Sequence, residues 1–181
     1  CIRDSLESGL SASDAVATSI ADETFPNYRQ LLAIDKNGNT CIHSGEMSLG
    51  IWTATQGLCC AAGGNLLADV GVPQAMVEGF ENTQGALGDR LIAAMQSGLN
   101  AGGEAGPLHS AGLLIVDTHG WPYAELRCDW TEDCPILMIT QAWKVYKPQA
   151  NDYVTRALNP TDAPSYLSLI HISEPTRPTD I

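Results

Sequence analysis

Gln30-Leu31-Leu32-Ala33-Ile34-Asp35-Lys36-Asn37-Gly38-Asn39-Thr40-Cys41-Ile42-His43 is the stretch on which the fold turns. Asn-Gly between two apolar segments is the strongest short-range hairpin signal, so this reads as strand, tight turn, strand. Hairpins pair antiparallel. Yet Leu31-Leu32-Ala33-Ile34 is a continuous apolar run and does not alternate. The same holds for Leu113-Leu114-Ile115-Val116, in a second hairpin over residues 111–116 and 123–128 around Asp117-Thr118-His119-Gly120. Strands read this way when both faces of their sheet are covered. Antiparallel strands covered twice, with helices grouped between them, predict an α+β protein built as an antiparallel four-layer α-β-β-α sandwich. A two-layer α+β domain is the simpler alternative.

Working outward, Ser11-Ala12-Ser13-Asp14 resembles a capping box, and Ala15, Val16, Ser19 and Ile20 follow at helical spacing. That helix should stop before Pro26. Residues 49–67 read as two short strands, broken at Gly57 and ending in Gly63-Gly64-Asn65. Val72-Pro73 opens a helix with Met76, Val77 and Phe80 inside. A second helix carries Leu87, Leu91, Ile92 and Met95 on one side. Residues 102–107 form a Gly-rich loop. A final helix starts near Pro135 and kinks at Pro148, with Ile139, Trp143 and Tyr146 as core or interface. Asp89 and Arg90 read as surface or helix-end salt links worth little.

Composition narrows the function. With 181 residues, 44% apolar and 17% charged, the chain is globular in type. A net charge of −12 without a Lys/Arg cluster excludes nucleic acid and anionic membranes as expected partners. No apolar run approaches a membrane span, and no signal peptide is visible.

Both ends read as foreign. Leu167-Ser168-Leu169-Ile170-His171-Ile172-Ser173-Glu174-Pro175-Thr176-Arg177 resembles the in-frame translation of a transposase adapter used in sequencing libraries, and Cys1-Ile2-Arg3-Asp4-Ser5 its reverse complement. The expected division is residues 1–5 and 167–181 as adapter translation, with one domain over residues 6–166. Cys1 is then set aside as a nucleophile, because an N-terminal nucleophile opens a buried strand and Cys1 opens a polar stretch. Cys41, Cys59, Cys60, Cys128 and Cys134 remain. The count is odd and no CxxC occurs, which signals neither a disulfide framework nor zinc, although Cys128 and Cys134 are spaced to bridge a loop. Cys59 and Cys60 read as small buried thiols. A reducing, cytoplasmic setting fits best.

Several segments then become recognisable in order: Ile42-His43-Ser44-Gly45, Ala62-Gly63-Gly64-Asn65-Leu66-Leu67-Ala68, Gly71-Val72-Pro73, Gly88-Asp89-Arg90-Leu91, Ser110-Ala111-Gly112-Leu113-Leu114, Leu126-Arg127-Cys128-Asp129 and Tyr153-Val154-Thr155-Arg156-Ala157-Leu158. Together they resemble the domain-of-unknown-function-1028 family, placed in the N-terminal-nucleophile (Ntn) hydrolase-like superfamily, over nearly all of residues 6–166. The resemblance implies the α-β-β-α sandwich. It also implies strands ahead of the first helix, with a Ser, Thr or Cys nucleophile at that beginning. The chain is then expected to be incomplete at its N-terminus, to lack its nucleophile, and to leave strand edges unpaired.

The candidate pocket is His43, Ser44, Asn65 and Ser110. His43 could hydrogen-bond substrate or tune a nucleophile, or be a satisfied histidine at a sheet edge. Asn65, after Gly-Gly, could turn the chain or donate its amide to an oxyanion. Ser110 could line a pocket or cap a strand. His109 cannot serve it as base, because neighbours on a strand face opposite ways. Neither metal nor cofactor is expected. The expected function is hydrolysis of a small amide or related bond in a small-molecule substrate, the alternative a non-catalytic binding or assembly module. Aromatics on the last helix make a homo-oligomer plausible.

Overall fold

The computed structural model describes residues 1–165, so the expected adapter tail lies outside the described residues. The elements run α1 (Ile2–Glu7), α2 (Ala12–Ala21), β1 (Gln30–Ile34), β2 (Thr40–Ser44), β3 (Ile51–Gly57), β4 (Cys60–Leu67), α3 (Val72–Asn82), α4 (Leu87–Asn100), β5 (Ala111–Val116), β6 (Pro122–Cys128), α5 (Pro135–Tyr146) and α6 (Ala150–Leu158). Helices mixed with antiparallel strands make this an α+β protein. Two compact units are distinguished, Cys1–Trp143 and the part from Lys144 onward. Among the described residues no helix is long and apolar enough to cross a membrane.

In the first unit, Ser11 caps α2 by accepting from the Asp14 N–H at 3.1 Å. Ala12, Ala15 and Val16 are buried on its inner face. The short helix α1 is unforeseen from the sequence; Ile2 and Leu6 pack on the cluster of Ala12, Val16 and Ala33. Cys1 begins a helix here, exposed, its amino group 3.4 Å from the Asp4 carboxylate.

Strand β1 pairs with β2 in the register Leu31↔His43, Ala33↔Cys41 and Ile34↔Thr40. The turn between them is fixed by Asp35, which accepts from the N–H groups of Asn37 at 2.9 Å and Asn39 at 3.1 Å. Gly38 takes φ +84°, as the Asn-Gly signal anticipates. In the second hairpin Thr53 pairs with Gly64 but Ile51 with Leu67, so β4 carries one extra residue. Leu66, at φ +53°, absorbs it as a β-bulge. Strand β4 therefore runs through Gly63-Gly64-Asn65, where the sequence reading ended it. Strands β5 and β6 form the third hairpin.

The strands pair with their sequence neighbours as three two-stranded sheets among the described residues, and Leu67 at the end of β4 also bridges Glu104. Helix α2 packs on β1 and β2, which in turn contact β3 and β4, and α3 lies on β3 and β4. Helices α3 and α4 pack tightly where Gly79 meets Ser97 and Gly98 meets Met76. The expectation that both faces of the apolar strands are covered needs correction. Leu113 and Ile115 are buried, whereas Leu114 is 58% and Val116 68% exposed. Leu32 and Ile34 line an open apolar groove of about 520 Å³ with Met76, Phe80, Met95 and Leu114. A continuous apolar run reports what a strand can cover, and here one face is left open.

Helix α5 buries Ile136, Ile139 and Trp143, which places Ile139 and Trp143 in the core. Asp89 and Arg90 also differ from expectation. Asp89 accepts from the Ala86 N–H at 3.1 Å and from the Trp143 indole N–H at 2.9 Å. Arg90 lies 3.8 Å from the Phe80 ring centre and donates to the Phe80 carbonyl at 3.1 Å. Both make tertiary ties, because the close approach of α3, α4 and α5 gives them partners other than counter-ions. In the second unit a 3-10 turn, Lys147–Gln149, breaks the helix at Pro148, where a kink was expected. Tyr146 stacks on Tyr153 at 5.9 Å.

Candidate functional site

Alternation along β1 puts Gln30, Leu32 and Ile34 on the face turned toward β3 and β4, and Leu31 and Ala33 on the face turned toward α2. Gln30 crosses between the two sheets. Its amide nitrogen donates to the Ser44 hydroxyl oxygen at 3.0 Å and to the Thr53 carbonyl at 3.3 Å. Further along the same gap, the Thr40 hydroxyl donates to Gln56 at 2.9 Å. Gly63 faces Gln30 from β4. A side chain there would press on Ala54 and Leu32 and sit 3.5 Å from the Gln30 amide nitrogen. Glycine is what permits this approach.

Asn65 lies two residues beyond Gly63 on β4, where the bulge begins. It lies at the end of the hairpin where Gln30 and Ser44 lie, and its side chain is exposed. The bulge at Leu66 follows it directly, held by the Leu66 N–H bond to the Leu49 carbonyl at 3.0 Å. Ser44 and Gln30 are thus bonded to each other at one end of the stacked hairpins, both half-buried, and the exposed Asn65 stands toward the same end of β4. Their chemistry is that of neutral hydrogen bonding: a hydroxyl, two carboxamides and no charge.

The other two candidates stand elsewhere. His43 pairs with Leu31 and shares its face, and its Nε2 is 2.9 Å from the Pro26 carbonyl. The ring is satisfied by backbone, as a structural histidine at a sheet edge would be. Ser110 is exposed ahead of β5, at the start of the third hairpin, apart from Gln30 and Ser44 on the first. Next to it, His109 stacks on Trp130 at 4.1 Å, and its Nδ1 is 2.8 Å from the Thr131 carbonyl. His119 likewise stacks on Trp121 at 4.8 Å.

The cysteines split by environment. All six are free, so Cys128 and Cys134 form no bridge. Cys59 is exposed at the β3–β4 turn with φ +55°, against the expectation of a buried thiol. Cys60 is half-buried, and burial, with the Glu81 carboxylate nearby, pushes its thiol above the usual value. Among the described residues no three His, Cys, Asp or Glu side chains gather as a metal site.

Gln30 is the member that sequence reasoning passed over. A glutamine opening a strand carries no motif, and only the register of β1 on β2, with Thr53 opposite, exposes its role.

The model of the family described as "Family of unknown function (DUF1028)" matches residues 1–138. Among solved structures the chain is similar to the crystal structure of protein SPO2555 from Silicibacter pomeroyi, itself a DUF1028 protein. The TM-score is 0.76 at 29% identity, over 84% of this chain and 66% of that one. The chain therefore spans just under two thirds of that protein's length. No curated protein matches it.

Proposed function

The chain belongs to the DUF1028 family, and on that premise we propose that it is part of an Ntn-type hydrolase cleaving a small amide or related bond. The observation that carries this reading is the bonded pair Ser44 and Gln30, neutral hydrogen-bonding groups suited to an amide, at one end of two stacked hairpins, with the exposed Asn65 on β4 toward that end. The packing order of α2, the first hairpin, the second hairpin and α3 supports an α-β-β-α sandwich.

In this mechanism a Ser, Thr or Cys nucleophile, carried on sequence beyond this stretch, attacks the substrate carbonyl with its own α-amine as base. The C–N bond breaks, the leaving amine takes the proton, and water then hydrolyses the acyl-enzyme. The Asn65 amide and nearby backbone N–H groups stabilise the oxyanion, worth about 10²–10³ in rate for one such donor. The substrate is a small molecule, and no metal or cofactor takes part.

A second reading, a binding or assembly module on the same fold, draws on one observation. His43 and His109 both spend a ring nitrogen on a backbone carbonyl, and neither bonds a hydroxyl or thiol among the described residues. The two readings separate when a full-length DUF1028 protein is treated with a β-lactone electrophile and mapped by mass spectrometry. Labelling of a single N-terminal nucleophile is expected. A full-length protein that stays unlabelled at every pH tried is a module.

A further inference from the structure

We propose that Gln30 and Ser44 form a subsite that reads a carboxamide group on a neutral ligand, with Asn65 at its rim. The ligand's C=O would accept from the Ser44 hydroxyl, and its N–H would donate to Gln30 Oε1. The inference rests on the hydrolase reading for the site's purpose, but its chemistry follows from counting donors and acceptors.

A glutamine amide has two N–H donors and one acceptor oxygen. The Thr53 carbonyl can only accept, so the nitrogen of Gln30 must face it, which fixes the orientation of the amide. The second N–H is used on the Ser44 oxygen at 3.0 Å. Ser44 cannot donate back to that nitrogen, and its hydroxyl hydrogen is turned elsewhere. Gln30 Oε1 and the Ser44 hydrogen are therefore one acceptor and one donor, side by side, with no partner among the described residues. No side-chain nitrogen or oxygen sealed from solvent lacks a partner among those residues, so Oε1, which has none, is open to a ligand, and Ser44 beside it is half-buried.

Charge selects the ligand class. A carboxylate would set its oxygens against Gln30 Oε1 in a chain of net charge −12. The adjacent cation, Arg29, is held by Glu23 at 3.3 Å. An ammonium would suit Oε1 but leave the Ser44 donor unmatched. A carboxamide presents an acceptor and a donor on one planar group and matches both.

The test uses the 181-residue chain, three small probes (propionamide, propionate and propylamine) and the Gln30 side-chain NH₂ resonances in ¹⁵N NMR. Propionamide is expected to shift them and the other two to leave them in place. Ser44→Ala should weaken propionamide binding by about tenfold, the scale of one lost hydrogen bond, and Ser44→Thr should restore it. Gln30→Glu, whose fold is checked by amide dispersion, should lose propionamide and gain propylamine.

The proposal is overturned if propionamide moves nothing, if propionate moves the same resonances equally, or if Ser44→Ala leaves the affinity unchanged. Electrophile labelling of a full-length relative without amide binding would sink this subsite and leave the hydrolase standing. Amide binding without labelling would do the reverse.

Discussion

A methyl group at Gly88 would run into the indole of Trp143, a ring already buried and bonded to Asp89 at 2.9 Å. Gly88→Ala is expected to cost about 1–3 kcal/mol, as other forced insertions into packed cores do. Urea unfolding reads this directly, and an unchanged midpoint would mean the indole can move aside. Single residues also show where sequence reading reaches its limit at the candidate site. Ser44 and Asn65 were legible because each is a small polar residue beside a glycine at a strand end, where the backbone lets a ligand come close. His43 was equally legible and stands apart, because the residue next to Ser44 must face the other way. Gln30 was hidden, since its role is made by two partners 14 and 23 positions away.

Between elements, Asp35 does more than shape its turn. Its carboxylate holds Asn37 and Asn39 and also accepts from the Ala12 N–H, the first residue of α2, at 3.3 Å. The Asn39 side chain first, then these backbone N–H groups, keep its carboxyl below the usual aspartate value of 3.8 against a smaller opposing effect of desolvation. A carboxyl depressed in the folded state stabilises above its unfolded value and loses that contribution as pH falls through the folded one. Asp35→Asn should therefore be less stable than the parent near neutrality, with the gap closing below about pH 3.8. Melts across an acid series measure it; a gap independent of pH would assign the loss to geometry and not to charge. The hairpins, the capped helix and the break at Pro148 were legible because turn, cap and proline signals act within a few residues. Helix α1 was not, since its polar sequence gains order only from Ile2 and Leu6 meeting α2. Nor was the open face of β5, because apolar content says nothing about whether a cover is present.

Across the molecule, the uncovered apolar positions set its behaviour in solution. Leu32, Ile34, Leu114 and Val116 are exposed on strands whose outer edges have no partner among the described residues. Such surfaces associate edge to edge or face to face. The chain is expected to self-associate in sedimentation velocity, more at high salt, where the repulsion between copies of net charge −12 is screened. Val116→Lys should shift it toward monomer; a sharp cooperative melt with a monomeric profile in the parent would remove the expectation. The local pairing of the strands carries a further consequence, for time. Among the described residues each of the three hairpin ladders closes through a turn between sequence neighbours, and only the single bridge Leu67↔Glu104 spans a longer stretch. Hairpins of that kind zip in roughly 1–10 μs, with little loop-closure entropy to overcome. The slow event in the first unit is then the docking of finished hairpins, when Gln30 must find the Thr53 carbonyl across the gap. Refolding would be governed by the arrival of one sheet upon another, after the strands themselves have long been made.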